Sequence, residues 1–339
     1  MMTGFTLQFM KKEEGDLSRF VYLPEAAAYR KLFVDSFMKI KMFDDLFSLY
    51  LPLRKKYKIV TLGDSFSEKQ GSGYQQRLVK MGGGSLLHLS SRMHPDNNQF
   101  NSLAGLANGD FLSKAGTKYV IFQIVERSIY YRVRDYDSVF TINYSDIGEL
   151  AENVRNSKKN QQPYPIDQLL KFPIQNIYFH LDKKTELNQV RKFRSTQKLF
   201  STEKDQILVY EDDIKSVSEN NKSITAKKFN DILNSSAKKL KEAGITLIVF
   251  VAPDKFDFYF DEIVQKKDLT RPSLLDNIRH LPKEYCYLDI KAHLKELKLK
   301  GEKDIYLYDD THWSVSTNNQ VAKWLFDIMK DSQAVGYSH

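Results

Sequence analysis

Residues 245–251, Ile-Thr-Leu-Ile-Val-Phe-Val, form the cleanest strand signal in the chain, and they constrain the fold more than any other segment. A short, nearly continuous apolar run bounded by turn residues, here Gly244 and Pro253, reads as a buried strand. Residues 57–62 and 119–125 read the same way, with further strands at 85–89 and 285–290. Between these runs the apolar residues change to helical spacing. Leu103, Leu106, Ala107 and Phe111 share one face. So do Phe229, Ile232, Leu233, Ala237 and Leu240, in a helix that Ser223 or Thr225 would cap and Gly244 would end. Residues 318–329 predict a last helix that buries Val321, Leu325 and Ile328. Strands alternating with helices predict an α/β fold, a doubly wound and mainly parallel sheet between two helical layers.

Two regions stand apart from the alternation. Residues 24–50 carry Leu32, Phe33, Phe37, Ile40, Phe43 and Phe47 at helical spacing, so 1–50 reads as an N-terminal helical segment. Residues 130–215 contain a polar, turn-rich stretch at 152–162, then Pro163 and Pro165, then strand-like runs at 177–180 and 206–210. They predict a β-rich insertion or lid, leaving 51–129 and 216–330 as the main domain. With 339 residues, 42% of them hydrophobic, the chain can bury a core of that size.

Chemistry concentrates at two short blocks. Gly63-Asp64-Ser65-Phe66 follows the strand at 57–62, which delivers Ser65 to a tight turn at the sheet's C-terminal edge. Asp309-Asp310-Thr311-His312-Trp313 lies near the other end of the chain. A serine hydroxyl is a poor nucleophile at neutral pH. It needs a base within hydrogen-bond reach and a carboxylate that holds the base in one tautomer. His312 is the candidate base, and either Asp310 or Asp309 the acid. Gly63 permits a sharp turn, and the amides of Ser65 and Phe66 are candidate oxyanion donors. Either block alone matches by chance often enough to be an ordinary helix cap or loop; their co-occurrence favours a catalytic serine.

With these blocks the chain resembles the SGNH-hydrolase superfamily, and within it the alginate O-acetylation proteins of the AlgX and AlgJ type. Asn101-Ser102-Leu103, the strand that ends in Glu126-Arg127, and Val251-Ala252-Pro253-Asp254-Lys255 with Tyr259 downstream extend the similarity. The resemblance implies a flavodoxin-like three-layer sandwich and an acetyl-serine intermediate. It also implies an extracytoplasmic polysaccharide acceptor, a membrane-bound acyltransferase as acetyl donor, and no cofactor. The Asp-x-His spacing of those proteins selects Asp310; the Asp-x-x-His spacing of ordinary SGNH esterases selects Asp309. Arg127, Trp313 and Lys255 become candidates for substrate or oxyanion contact, each with a structural alternative as ion pair, packing residue or solvated strand end. The chain departs from the family in three ways. Ser65 precedes the histidine block, as in ordinary SGNH esterases, which looks like a circular permutation. Ser314 follows Trp313 where the family continues towards a glycine. No Gly-x-Asn-Asp block supplies an oxyanion asparagine.

Composition excludes several other classes. Cys286 is the sole cysteine, so neither an intramolecular disulfide nor a Cys-rich metal site is available. His88, His94 and Asp96 match no metal-ligand spacing. The net charge of +8 suits an anionic partner or simply a soluble surface; its lysines are dispersed, and no nucleic-acid-binding motif is present. No run approaches the ~20 apolar residues of a membrane span, and residues 1–10 do not read as a signal peptide. An exported protein would carry its signal or tether on a segment absent from this chain.

Overall fold

The computed structural model describes residues 15–33, 41–53, 55–67, 73–90, 93–94, 96–159, 166–181, 189–202 and 204–335. Eight strands occur among them: β1 (Asp44–Asp45), β2 (Ile59–Gly63), β3 (Leu86–Ser90), β4 (Tyr119–Val125), β5 (Val190–Arg194), β6 (Gln206–Tyr210), β7 (Thr246–Ala252) and β8 (Cys286–Tyr287). Six form one sheet in the order β1-β3-β2-β4-β7-β8, and every pairing in it is parallel. Parallel neighbours require crossovers, which the helices between strands provide.

Side-chain alternation along the central strands explains why their interior positions are apolar apart from Thr61 and Gln123. Ile59, Ile121, Val125, Ile248, Phe250 and Ala252 enter one core, with Tyr74 and Leu78 of the helix Tyr74–Lys80 and with Val321 and Leu325 of the helix Val315–Val335. Val60, Leu62, Val120, Phe122, Leu247, Val249 and Val251 enter the other, under the helices Gln99–Asn108 and Ser223–Glu242. A sheet covered on both faces has no polar face to alternate with. Each large side chain buried in this way contributes about 2 kcal/mol.

The strand order also locates the site. From β2 the chain crosses to β3 on one side, then returns to place β4 on the other, so the direction reverses between β2 and β4. Crevices at the carboxyl ends of strands at such a reversal are where open α/β sheets bind ligands. Ser65 is the second residue after β2.

Several boundaries differ from the expectation. The strand expected at 177–180 is the end of a helix, Ile166–His180, and the turn-rich stretch from 152 belongs to the helix Asp146–Lys159. Ile177, Tyr178 and Phe179 have strand-forming side chains, but Phe172, Gln175, Asn176 and Phe179 are buried at helical spacing, and packing decides. The described residues of 130–215 therefore hold mainly helices, with β5 and β6 as one antiparallel ribbon, and are not β-rich. The long helix from Ser223 has Lys222 at its cap position with no capping side chain, while Thr225 donates to the Glu219 carbonyl at 2.8 Å. Gly244, at φ +71°, lies just past the end of that helix. Residues 24–50 give a short helix, Ala26–Lys31, and the edge strand β1; Phe37 and Ile40 lie outside the described residues, as do 68–72 after Ser65 and 160–165. Among the described residues no helix is long and apolar enough to cross a membrane.

Candidate active site

Beyond β2 the backbone turns at once, with the Ser67 amide donating to the Asp64 carbonyl at 2.9 Å. The Asp64 side chain fastens this turn to the neighbouring strand. It accepts from the Val125 amide at 2.7 Å, from Gln123 Nε2 at 2.9 Å and from the Phe66 amide at 3.0 Å. Gln123 Oε1 in turn accepts from the Asp64 amide and from Ser67 Oγ, at 3.1 and 2.8 Å. Gly63 is required here for space. A Cβ on it would lie 2.2 Å from Ser67 Oγ and 2.6 Å from Gln123 Oε1. Ser65 itself is exposed at the apex.

The partner loop is a narrow hairpin. Leu307 N donates to the His312 carbonyl at 3.0 Å and Ser314 N to the Ile305 carbonyl at 3.0 Å, so the two aspartates sit at its tip. Asp310 Oδ1 accepts the backbone amide of His312 at 3.1 Å and lies 2.6 Å from its Nδ1. One oxygen thus orients both the backbone and the ring, which the two-residue spacing allows. A carboxylate oxygen only accepts, so Nδ1 carries the proton and Nε2 is left as acceptor. Ser65 Oγ is 2.8 Å from that Nε2. Ser65, His312 and Asp310 therefore form one continuous line, its acid and base buried and its hydroxyl open to solvent.

Asp309 is employed elsewhere. Its carboxylate accepts from Arg30 Nε at 2.9 and 3.0 Å and from the Gly15 amide at 2.9 Å, while the other arm of Arg30 reaches Asp310 Oδ2 at 2.8 Å. Although burial opposes it, the charges of Asp310 and Asp309 raise the Arg30 pKa, so the guanidinium stays charged. Of the two acids proposed from spacing, only Asp310 meets the imidazole. Asp16, Asp310 and His312 converge closely enough to be weighed as a cation site. Their donor atoms are already committed to the ring proton, to Arg30 and to Thr311, so the cluster is a hydrogen-bond network.

Of the other candidates, Trp313 and Arg127 take up their structural alternatives, packing and ion pairing, and Lys255 matches neither of its readings. Lys255 is fully buried, and its Nζ donates to the carbonyls of Leu307, Tyr308 and Asp310 at 2.8, 2.8 and 3.1 Å. It clamps the histidine loop and cannot touch a substrate. Burial, against the pull of Asp309 and Asp310, pushes its pKa down to about 7. Trp313 is also buried, packed edge-on against Phe66 at 4.9 Å and stacked near Phe250, so it is a floor beneath the loop and not a substrate contact. The amide of Phe66 is occupied by Asp64, which leaves the Ser65 amide as the candidate oxyanion donor at this turn; the Phe66 ring lies 4.6 Å from the His312 ring.

Arg127 pairs with Asp213 at 3.1 Å and with Asp254 at 2.9 Å. Burial raises Asp254 well above the usual carboxylate range, aided by the nearby Asp213, and raises Asp213 to about 6. Arg127 also lines a cavity of about 410 Å³ with Tyr131, Arg132, Asp96 and Lys215. Arg127 lies just past the end of β4, the parallel neighbour of β2, so the cavity is at the same edge of the sheet as Ser65. Among the histidines left structural, His88 is a core residue beside Thr61 Oγ1 at 3.0 Å, and burial pushes it down to about 4.

Two residues essential to this geometry were not legible from sequence. Arg30 and Asp16 belong to the N-terminal segment and carry no motif; their partners lie 279 to 295 positions away. The Asp309-Asp310 doublet was the available signal, because two adjacent buried acids call for a cation.

Residues 202–337 match the family model described as SGNH hydrolase-like domain, acetyltransferase AlgX. The match includes Lys255 and the acid–histidine loop and stops short of Ser65. No curated protein matches the chain.

Proposed function

For a chain related through residues 202–337 to the AlgX-type SGNH hydrolase-like acetyltransferases, we propose an O-acetyltransferase that carries the acetyl group on Ser65 and passes it to a polysaccharide hydroxyl outside the cytoplasm. The observation that carries this reading is the unbroken line from Asp310 through His312 to an exposed Ser65 Oγ. As Oγ attacks the donor carbonyl, its proton moves to His312 Nε2, and Asp310 stabilises the resulting imidazolium. The carbonyl electrons move to oxygen, where the Ser65 amide donates. Collapse expels the donor's leaving group, which takes the proton from Nε2. An acceptor hydroxyl then gives its proton to Nε2 as it attacks the acetyl-serine; the bond to Ser65 Oγ breaks, Oγ takes that proton back from Nε2, and the acceptor departs as the new ester.

No step in this sequence calls for a metal or a dissociable cofactor. The cavity beside Arg127 and Arg132 is a candidate acceptor groove on the serine's edge. The donor partner we propose is a membrane-bound acyltransferase, which would hand over the acetyl group.

Incubation with a chromogenic acetyl ester, followed by intact-mass spectrometry, tests the reading. An adduct of one acetyl group should form on the wild type and be absent from Ser65→Ala, whose turnover should fall by about a thousandfold or more. Full turnover by Ser65→Ala would overturn it. Added oligosaccharide should divert acetyl from water to sugar; acetate as the only product would make the protein a carbohydrate esterase instead.

A further inference from the structure

The side of His312 that faces away from Ser65 looks onto two carboxylates. Nδ1 lies 2.6 Å from Asp310 Oδ1 and 3.3 Å from Asp16 Oδ2. The two acids are held in different ways. Asp310 gives its second oxygen to Arg30, which draws negative charge away from the ring. Asp16 accepts from the Thr311 amide at 2.7 Å and from the Thr311 hydroxyl at 2.5 Å, and Thr311 is the residue between the acid and the base. Any drift of Asp16 would therefore move the Asp310–His312 pair with it.

On the reading that Ser65 and His312 perform acyl transfer, we propose that Asp16 is a positioning residue of this site: it locks Thr311 in place and supplies a second negative charge to the His312 imidazolium. Arg30 is shared between Asp309 and Asp310 and offsets part of Asp310's charge, and Asp16 adds a second carboxylate 3.3 Å from the Nδ1 of the imidazolium formed when Ser65 attacks. The other charged groups near Asp16 and the ring are Arg30 behind Asp310, Asp309 beyond Arg30, Arg127 and Lys255, and the Asp213 carboxylate paired with Arg127. Arg127 is held by Asp213 and Asp254 and Lys255 by three carbonyls, while Asp16 bonds Thr311.

Asp16→Asn separates the two roles. The amide oxygen can still accept from Thr311 N, and the Thr311 hydroxyl can turn to accept from the new NH2, so the tether survives while the charge is lost. The experiment follows the His312 ring protons by NMR across pH in the full chain, with the signal assigned by its loss in His312→Ala. The midpoint should fall by about one pH unit in Asp16→Asn, the worth of a unit charge at this distance in a water-like medium. The acid limb of kcat/KM for the acetyl ester should move down equally, with KM unchanged.

An unmoved midpoint in a folded Asp16→Asn protein overturns the proposal, as does a loss of turnover that leaves the acid limb in place. Should that variant not fold, Asp16→Ser, which keeps an acceptor for Thr311 without charge, takes the same measurement. Ser65→Ala is run alongside. If it is inactive and the midpoint does not move, only the role of Asp16 falls; if it is active, the acyl-transfer reading falls too.

Discussion

The serine turn and the acid–histidine loop meet at one hydrogen bond, yet they are built on different principles. The turn is held by neighbouring strands: Ser65 sits two residues past a central strand, and the side chains of Asp64 and Gln123 tie that strand's end to the adjacent β4. The loop is held by side chains from distant segments. Lys255 clamps three of its carbonyls, Arg30 spans both aspartates, and Asp16 grips Thr311. A nucleophile must be exposed to meet substrate, and a sheet edge positions it without burying it. A base must keep one orientation and one tautomer, and that takes a buried polar network.

The largest effect should come from setting the two aspartates against each other. Asp310→Asn should lower kcat by about 10³ to 10⁴, because the ring loses the acceptor that fixes its tautomer. Asp309→Asn should leave kcat within about tenfold and lower stability instead, since Arg30 keeps one acid. Steady-state kinetics beside urea unfolding of both variants would separate them. Equal losses of kcat would erase the distinction between the two carboxylates.

Lys255→Met should cost about 3 kcal/mol, as buried carbonyls lose their donor. Denaturant midpoints at constant m-value would measure it. A variant as stable as the wild type would mean that the loop holds its shape without the clamp.

On the strand side, His88 should make stability sensitive to acid. Its folded pKa, about 4, lies below the ordinary value near 6.5, so between these pH values the unfolded chain binds the proton and the folded one does not. Stability is thus lost as pH falls through that window, by up to about 3 kcal/mol at its lower end. His88→Gln should flatten this part of the stability profile. An equally steep profile in the variant would assign the acid sensitivity to other groups.

The smallest change expected is in Gly63→Ala, at about 2 kcal/mol, because the added methyl must displace Ser67 or Gln123. If the turn is set by its backbone, kcat should fall further than stability does, and a melting curve taken with the kinetics would show it.

How much of this was readable from sequence follows from the same division. The central strands announce themselves through uninterrupted apolar runs, and Ser65 is tied to one of them by two residues. The histidine block was legible for a similar reason, because Asp310 and His312 act through local spacing. Lys255 was misread because a charged residue at a strand end is ordinarily solvated, and nothing nearby signals three carbonyls around it. Residues 177–180 were misread because aromatic and β-branched side chains favour strands until a neighbouring surface claims them at helical spacing. Asp16 and Arg30 were invisible because their role exists only after the two ends of the chain have met.

That last point bears on how the molecule is made. The Gly15 amide bonds Asp309 across 294 positions, and the serine turn is synthesised long before the loop that serves it. A ribosome-bound chain would already display Ser65 while lacking the base that activates it. Long-range closures of this kind are slow to form, so the appearance of activity should coincide with the completion of folding.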